Sequence, residues 1–194
     1  MSRAAVFLDR DGTINVEKQY LYRYEDWEWI PGAIDAIKMF NANGFLVIVV
    51  SNQAGIARGL YSELDVRLLH EKVDWELCSQ GAKINAYYYC PHHPEFGNKI
   101  VCGCRKPAPG LLFKAQKDWG IELSRSFMIG DKADDVKAAQ AAGVKSILVS
   151  TGYGTTERHL IDAKTPFVRD LMMASLLITT GELNLDVRDA TRIS

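Results

Sequence analysis

No apolar run in this chain approaches the roughly 20 residues that a membrane-spanning helix needs. The first strand-like segment begins almost at Met1, which predicts that no secretory signal is present. Charge of one sign is equally scarce. The 23 Lys and Arg against 24 Asp and Glu leave a formal net charge of -1, so the basic footprint of a nucleic-acid binder is missing. Internal repeats, low-complexity tracts and linkers are absent, which excludes solenoids and strings of modules. Cysteine is sparse, at four residues, yet three of the four (Cys90, Cys102 and Cys104) fall in one short stretch. Together these features predict a cytoplasmic, monomeric protein acting on a small molecule, with no nucleic acid and no membrane as partner. In that compartment clustered cysteines are metal ligands more often than disulfides.

What is present is an alternation. At 194 residues and 47% hydrophobic content the chain is large enough to bury a sizeable core, and residues 1–194 are expected to form one domain. Ala4 to Leu8 reads as a short buried strand. Pro31-Gly32 opens a helix carrying Ile34, Ile37 and Phe40, and Asn43-Gly44 closes it. Phe45 to Val50 is a β-branched run suited to a buried parallel strand. Ser62-x-x-Asp65 resembles a capping box, and the helix it starts carries Leu64, Leu68, Leu69 and Leu77; Cys78 on that helix is expected in the core. Strands are predicted at Ile84–Tyr89, Phe127–Ile129 and Val144–Val149, with helices at Leu111–Trp119 and Ala133–Ala142. Phe167-Val168 suits an edge strand and Leu171–Leu177 a last helix. From about Gly181 the chain is polar and expected to be poorly ordered. The fold class is therefore α/β: a Rossmann-like parallel sheet with helices on both faces.

Right-handed crossovers bring the carboxyl ends of the strands to one edge of such a sheet, where ligands bind. The first strand ends in Asp9-Arg10-Asp11-Gly12-Thr13. Side chains alternate along an extended chain, so Asp9 and Asp11 can share a side. Two close carboxylates repel unless a cation or a shared proton relieves them, and Mg²⁺, held by carboxylates plus phosphate oxygens, suits the place. One carboxylate could then attack phosphorus while the other moves protons. Ser51 and Asn52 end the second strand, where a hydroxyl and backbone N–H groups can hold phosphoryl oxygens; a plain turn fits them equally in isolation. Lys106, in Arg105-Lys106-Pro107, can neutralise a transferring phosphoryl group, though alone it reads as a surface lysine. Asp131, in Gly130-Asp131-Lys132-Ala133-Asp134-Asp135, can complete a Mg²⁺ site with Asp135 behind it, or simply mark an acidic helix start.

A second constellation is Cys90-Pro91-His92-His93 with Cys102-Gly103-Cys104. Three thiolates and one imidazole form a closed tetrahedral Zn²⁺ set, structural rather than catalytic. His93 is the alternative imidazole, and a disulfide or a redox pair the alternative chemistry. Zinc at residues 90–104 would pin a loop poor in hydrophobic residues that runs straight into Arg105 and Lys106.

Taken in order, Asp-x-Asp-Gly-Thr, Ser-Asn, Lys and Gly-Asp-x-x-x-Asp resemble the phosphatases of the haloacid dehalogenase superfamily, over roughly Ala4 to Ser150. The resemblance implies that Asp9 is the nucleophile of an aspartyl-phosphate and Asp11 the general acid and base. It also implies that Ser51 and Lys106 stabilise the phosphoryl group, and that Asp9, the Asp11 carbonyl and Asp131 bind Mg²⁺. The stretches Asn52–Gly59, Tyr88–Pro94 and Cys104–Pro107 are further similar to the zinc-loop subgroup that acts on heptose bisphosphate and on histidinol phosphate. In that subgroup the positions of Glu17, Lys18, Gln19 and Tyr20, of Ser51, Asn52, Gln53 and Ala54, and of Arg105, Lys106 and Lys132 contact substrate. No spacing leaves room for a large cap domain. The implied activity is hydrolysis of the 7-phosphate of a heptose 1,7-bisphosphate, on the route to nucleotide-activated heptose for lipopolysaccharide core. Histidinol-phosphate hydrolysis is the alternative, and an inactive phosphosugar-binding or zinc-scaffold protein a second one. Arg105 and Lys132 supply cationic charge beyond the needs of one phosphoryl group, which fits a bisphosphate.

Overall fold

The computed structural model describes residues 3–97 and 102–181. Six strands, β1 (Ala5–Leu8), β2 (Leu46–Asn52), β3 (Ala86–Cys90), β4 (Phe127–Gly130), β5 (Lys145–Val149) and β6 (Phe167–Val168), form one sheet. Their order is β3-β2-β1-β4-β5-β6, and every pairing is parallel. The order reverses at β1, with β2 on one side and β4 on the other. That switch point is where an open α/β sheet presents its crevice. The registers Leu8↔Val49 and Leu8↔Ile129 set the ends of the three central strands level.

Side-chain alternation gives β1 two buried faces. Val6 and Leu8 point into one core with residues of α1 (Ala33–Ala42), α2 (Glu63–Ser79) and α6 (Leu171–Thr179). Ala5 and Phe7 point into the other, with α3 (Gly110–Trp119) and α4 (Ala133–Ala141). Continuous apolar strands follow from burial on both faces. The Ser62–Asp65 capping box at the start of α2 is formed in both directions. A four-residue helix, α5 (Gly154–Glu157), follows β5, and the Glu157 carboxylate accepts the Ala133 N–H at 2.6 Å, capping α4 from outside. No helix among the described residues is long and apolar enough to cross a membrane.

Three expectations change. Cys78 is exposed, not in the core. The face that α2 buries is Val66, Leu69, His70, Val73 and Leu77, and a residue directly after Leu77 is turned about 100° away from it. Leu64 and Leu68 lie on the outer side for the same reason, 52% and 47% exposed. The sequence reads Glu17 to Trp29 as a polar and aromatic loop, but Tyr24–Asp26 make a 3-10 turn within it. Its far end is tied to α2, where the Glu76 carboxylate accepts from Tyr24 Oη at 2.7 Å and from Trp29 Nε1 at 2.9 Å. The expectation of a poorly ordered tail falls, beyond Gly181, outside the described residues.

Candidate active site

β1, β2 and β4 deliver Asp9, Ser51 and Asp131 to one edge of the sheet. Asp9 and Ser51 line a cavity of about 430 Å³, while Asp131 is fully buried and outside its lining. Its lining includes Asp9, Asp11, Glu17, Gln19, Tyr20, Ser51, Asn52, Gln53, Ala54, Arg105, Lys106 and Lys132. Of the residues singled out from sequence as substrate contacts, Lys18 alone is not in that lining. Its ammonium instead pairs with Glu28 at 3.0 Å. Gln19 sits in the left-handed region at φ 57°, a conformation that costs a non-glycine residue about 1 kcal/mol or more. The Glu17 carboxylate accepts the Gln19 N–H at 2.6 Å and holds the turn.

Lys106 is the hub. Its ammonium lies 2.9 Å from Asp9 Oδ1, 2.6 Å from Asp135 Oδ1 and 2.7 Å from the Val50 carbonyl, and the side chain is 2% exposed. Burial alone would lower its pKa, but Asp135 and Asp9 carry it above the ordinary lysine value. Its backbone is clamped from β2: Asn52 Nδ2 donates to the Lys106 carbonyl and Asn52 Oδ1 accepts the Lys106 N–H, both at 3.0 Å. Asp9 Oδ1 also accepts the Arg10 N–H at 2.8 Å, so this oxygen is held from two sides.

Asp9, Asp131 and Asp135 each offer an oxygen within 4.8 Å of the others, and all three are buried. One ammonium does not balance three carboxylates. Burial first, then Asp9 and Asp135, push Asp131 up to about 8. Asp131 Oδ2 accepts the Tyr153 N–H at 2.8 Å, while Oδ1 is buried without a partner among the described residues. An orphaned carboxylate oxygen in an acidic cluster has the donor chemistry of a Mg²⁺ ligand. Two glycines make room for the other oxygen, Oδ2. A Cβ at Gly12 or Gly152 would lie 2.2 or 2.1 Å from Asp131 Oδ2, and both residues have positive φ. Gly130 does the same for Asp135, with 2.1 Å to Oδ2.

Asp11 is surrounded by donors. Arg10 Nε and Nη2 each donate to its carboxylate at 3.1 Å, Asn15 Nδ2 at 2.9 Å and Gln53 Nε2 at 3.3 Å. Arg10 is 1% exposed and reaches on to the Leu21 carbonyl at 2.7 Å, joining the turn after β1 to the segment that follows Tyr20 at the cavity. On the opposite rim Lys132 Nζ lies 3.3 Å from Glu17 Oε2 and 4.7 Å from the Tyr153 ring centroid. Burial would lower its pKa, but Asp9, Asp131 and Glu17 raise it.

The cysteine cluster is formed by Cys90, His92, Cys102 and Cys104. Cys90 Sγ lies 3.5 Å from Cys102 Sγ and 3.3 Å from Cys104 Sγ. His92 Nδ1 lies 3.6 Å from Cys90 and 3.4 Å from Cys104. A tetrahedron with Zn–S bonds of about 2.3 Å has edges of about 3.8 Å, close to this spacing. The sulfurs are too far apart for a disulfide, and all are free. Burial opposes ionisation of Cys102, yet hydrogen bonds from Cys104 and the Arg105 N–H bring its thiol down to about 6. His93 turns elsewhere. Its Nε2 lies 3.4 Å from Arg58 and its ring meets Phe96 edge-on.

Sequence reasoning missed Tyr61, Asp134 and Tyr153 in the cavity wall. Tyr153 had a signal, since Gly152-Tyr153-Gly154 directly follows a parallel strand. Tyr61 had none, because it reaches the cavity through an irregular turn.

A family model described as HAD-hydrolase-like matches residues 103–174. The D-glycero-beta-D-manno-heptose-1,7-bisphosphate 7-phosphatase of Pasteurella multocida is 42% identical over 158 residues, 80% of this chain and 86% of that protein. The Escherichia coli K12 protein of the same name is 46% identical over 154 residues, 76% and 80% of the two chains. The solved structure of a D,D-heptose 1,7-bisphosphate phosphatase from B. bronchiseptica, complexed with magnesium and phosphate, superposes with a TM-score of 0.84 at 28% identity. It covers 92% of this chain and 99% of that one.

Proposed function

Since the chain belongs to the D-glycero-beta-D-manno-heptose-1,7-bisphosphate 7-phosphatase family of HAD-like hydrolases, we propose that it removes the 7-phosphate of the β-anomer of that bisphosphate. The observation that carries the reading is the meeting of Asp9, Asp131, Asp135 and Lys106 in one buried cluster on the floor of a cavity rimmed by Arg105 and Lys132.

Asp9 is the nucleophile. Its Oδ1 is held by Lys106 and the Arg10 N–H, which leaves Oδ2 to form the bond to phosphorus as the bond to the sugar O7 breaks. Asp11 protonates the departing O7 and then takes a proton from the water that hydrolyses the aspartyl-phosphate. Lys106 and the Ser51 hydroxyl meet charge gathering on the equatorial oxygens. Asp9, the Asp11 carbonyl and Asp131 would hold Mg²⁺, with Asp135 supporting Lys106 beside them. Bound there, the ion supplies positive charge against the phosphoryl oxygens and against the carboxylates themselves. Arg105 and Lys132 take the phosphate at C1. Zinc on Cys90, His92, Cys102 and Cys104 is structural.

Histidinol phosphate carries no second phosphate, so it leaves Arg105 and Lys132 without an anionic partner. The test is kcat/KM for the β and α heptose bisphosphates and for histidinol phosphate, side by side, with Asp9→Asn as control. The β bisphosphate is expected to lead and the variant to release no phosphate. A preference for histidinol phosphate, or phosphate release by Asp9→Asn equal to wild type, overturns the reading.

A further inference from the structure

Behind the phosphoryl pocket runs a short buried polar chain that the mechanism above does not use. Gln53, 2% exposed, donates from Nε2 to Ser51 Oγ at 2.7 Å and to Asp11 Oδ2 at 3.3 Å. Its Oε1 accepts the Tyr61 hydroxyl at 2.7 Å. The Tyr61 ring is fixed sterically. It stacks on Tyr22 with centroids 5.2 Å apart, and a Cβ at Gly55 would fall 2.1 Å from it.

The two ends of a glutamine amide are nearly equal in size, so neighbours decide which end faces which way. Asp11 Oδ2 accepts from one end of the amide and the Tyr61 hydroxyl donates to the other. That places the carbonyl end at Tyr61 and the NH₂ end at Ser51 and Asp11. Ser51 Oγ, having accepted from Gln53, keeps its own proton to donate into the cavity. With the amide reversed, Ser51 would spend that proton on Gln53 and face a phosphoryl oxygen with lone pairs only.

We propose that Tyr61 is a positioning residue that sets the orientation of the Gln53 amide and thereby aims the Ser51 hydroxyl proton at the transferring phosphoryl group. The inference rests on the reading that Ser51 faces that group. Tyr61→Phe keeps the ring, its stack on Tyr22 and its fit beneath Gly55, and removes only the donor. It should lower kcat roughly three- to tenfold, the size of one lost hydrogen bond. KM should stay within about twofold, because the proton matters most where charge develops. In a Ser51→Ala background the same change should have a clearly smaller effect, the remainder acting through Asp11, whereas a merely structural tyrosine would lose as much in either background. Binding of orthovanadate in the presence of Mg²⁺, followed by calorimetry, gives the same four-variant comparison without turnover. It therefore separates a failure here from a failure of the proposed substrate. Unchanged kcat and vanadate affinity in Tyr61→Phe, or an undiminished loss in the Ser51→Ala background, would overturn the proposal.

Discussion

Replacing Lys106 with Met removes the ammonium that touches Asp9 and Asp135 while keeping most of the side-chain volume. At an effective dielectric of about 20, charges 2.9 and 2.6 Å apart attract by about 6 kcal/mol each before desolvation. Deletion also relieves the several kcal/mol spent burying the lysine, so the net loss expected for a broken buried ion pair is about 3–5 kcal/mol. The loss should depend on pH, and its sign follows from Asp135. Burial, then Asp9, already raise that carboxyl to about 6 with the ammonium beside it, above the value of about 3.9 in an unfolded chain. A raised carboxyl contributes stability that is complete below its unfolded pKa and disappears as pH climbs through the folded one. Without Lys106 the folded pKa rises further, so the penalty deepens and extends to higher pH. Urea unfolding of wild type and Lys106→Met in EDTA, at pH 5 and pH 8, measures this. The variant's deficit should be largest at pH 8 and small at pH 5, and kcat with Mg²⁺ at pH 8 should fall by about 10²–10³. A variant as stable as wild type at pH 8, or equally weakened at both pH values, refutes the electrostatic account of the cluster.

Gly152→Ala places a methyl 2.1 Å from Asp131 Oδ2 on a backbone at φ 56°. Titration calorimetry should show Mg²⁺ affinity at least about tenfold weaker, as expected when a metal ligand is displaced, and wild-type affinity would contradict the cradle drawn around Asp131. Metal analysis should find about one zinc per chain, as a single four-ligand set allows. Stripping that zinc should lower Tm by about 10 °C, several kcal/mol at about 2–4 °C each for a chain of this size, and abolish turnover while the far-UV signal of the sheet persists. Zinc-free protein that is folded and fully active would rule out the loop's proposed role.

The sheet and most of the site could be read from the sequence because their signals are local. β-branched runs gave the strands, and crossover handedness then put Asp9, Ser51 and Asp131 on one edge with no knowledge of tertiary contacts. What escaped depends on partners distant in the chain or on irregular backbone. Lys18 falls inside a stretch expected to contact substrate, yet the left-handed turn at Gln19 leaves it beside Glu28. Cys78 needed the phase of α2, and the leucines at 64 and 68 suggested the wrong face; the packed face runs through Val66, His70 and Val73 instead. Arg10 reads as a spacer between two aspartates. Only the return of the chain at Leu21 shows it as a buried brace. Tyr61 and the clamp of Asn52 on Lys106 depend on segments distant in the chain meeting at the end of β2, which no periodicity encodes.

That clamp also shows what the cysteine cluster can do for Lys106 from so close by. Lys106 must hold its ammonium against three acceptors, yet it lies on a loop with little hydrophobic anchorage of its own. Two residues of extended chain span at most about 7 Å, so fixing Cys104 confines the Lys106 backbone to that radius. Arg105 narrows it further by donating from Nη1 to the His92 carbonyl at 3.2 Å, which ties the cationic rim to the opposite limb of the same loop. Asn52 then supplies the last constraint, fixing the Lys106 peptide against the end of β2 as a neighbouring strand would. Any one of these leaves a rotation or a slide available; together they leave none that keeps all the contacts. The cysteine cluster thus bears on the placement of Lys106 through chain length and hydrogen bonds, and a change at Cys104 should be felt at Lys106 more strongly than one at Cys90, which the β3 ladder holds in place by itself.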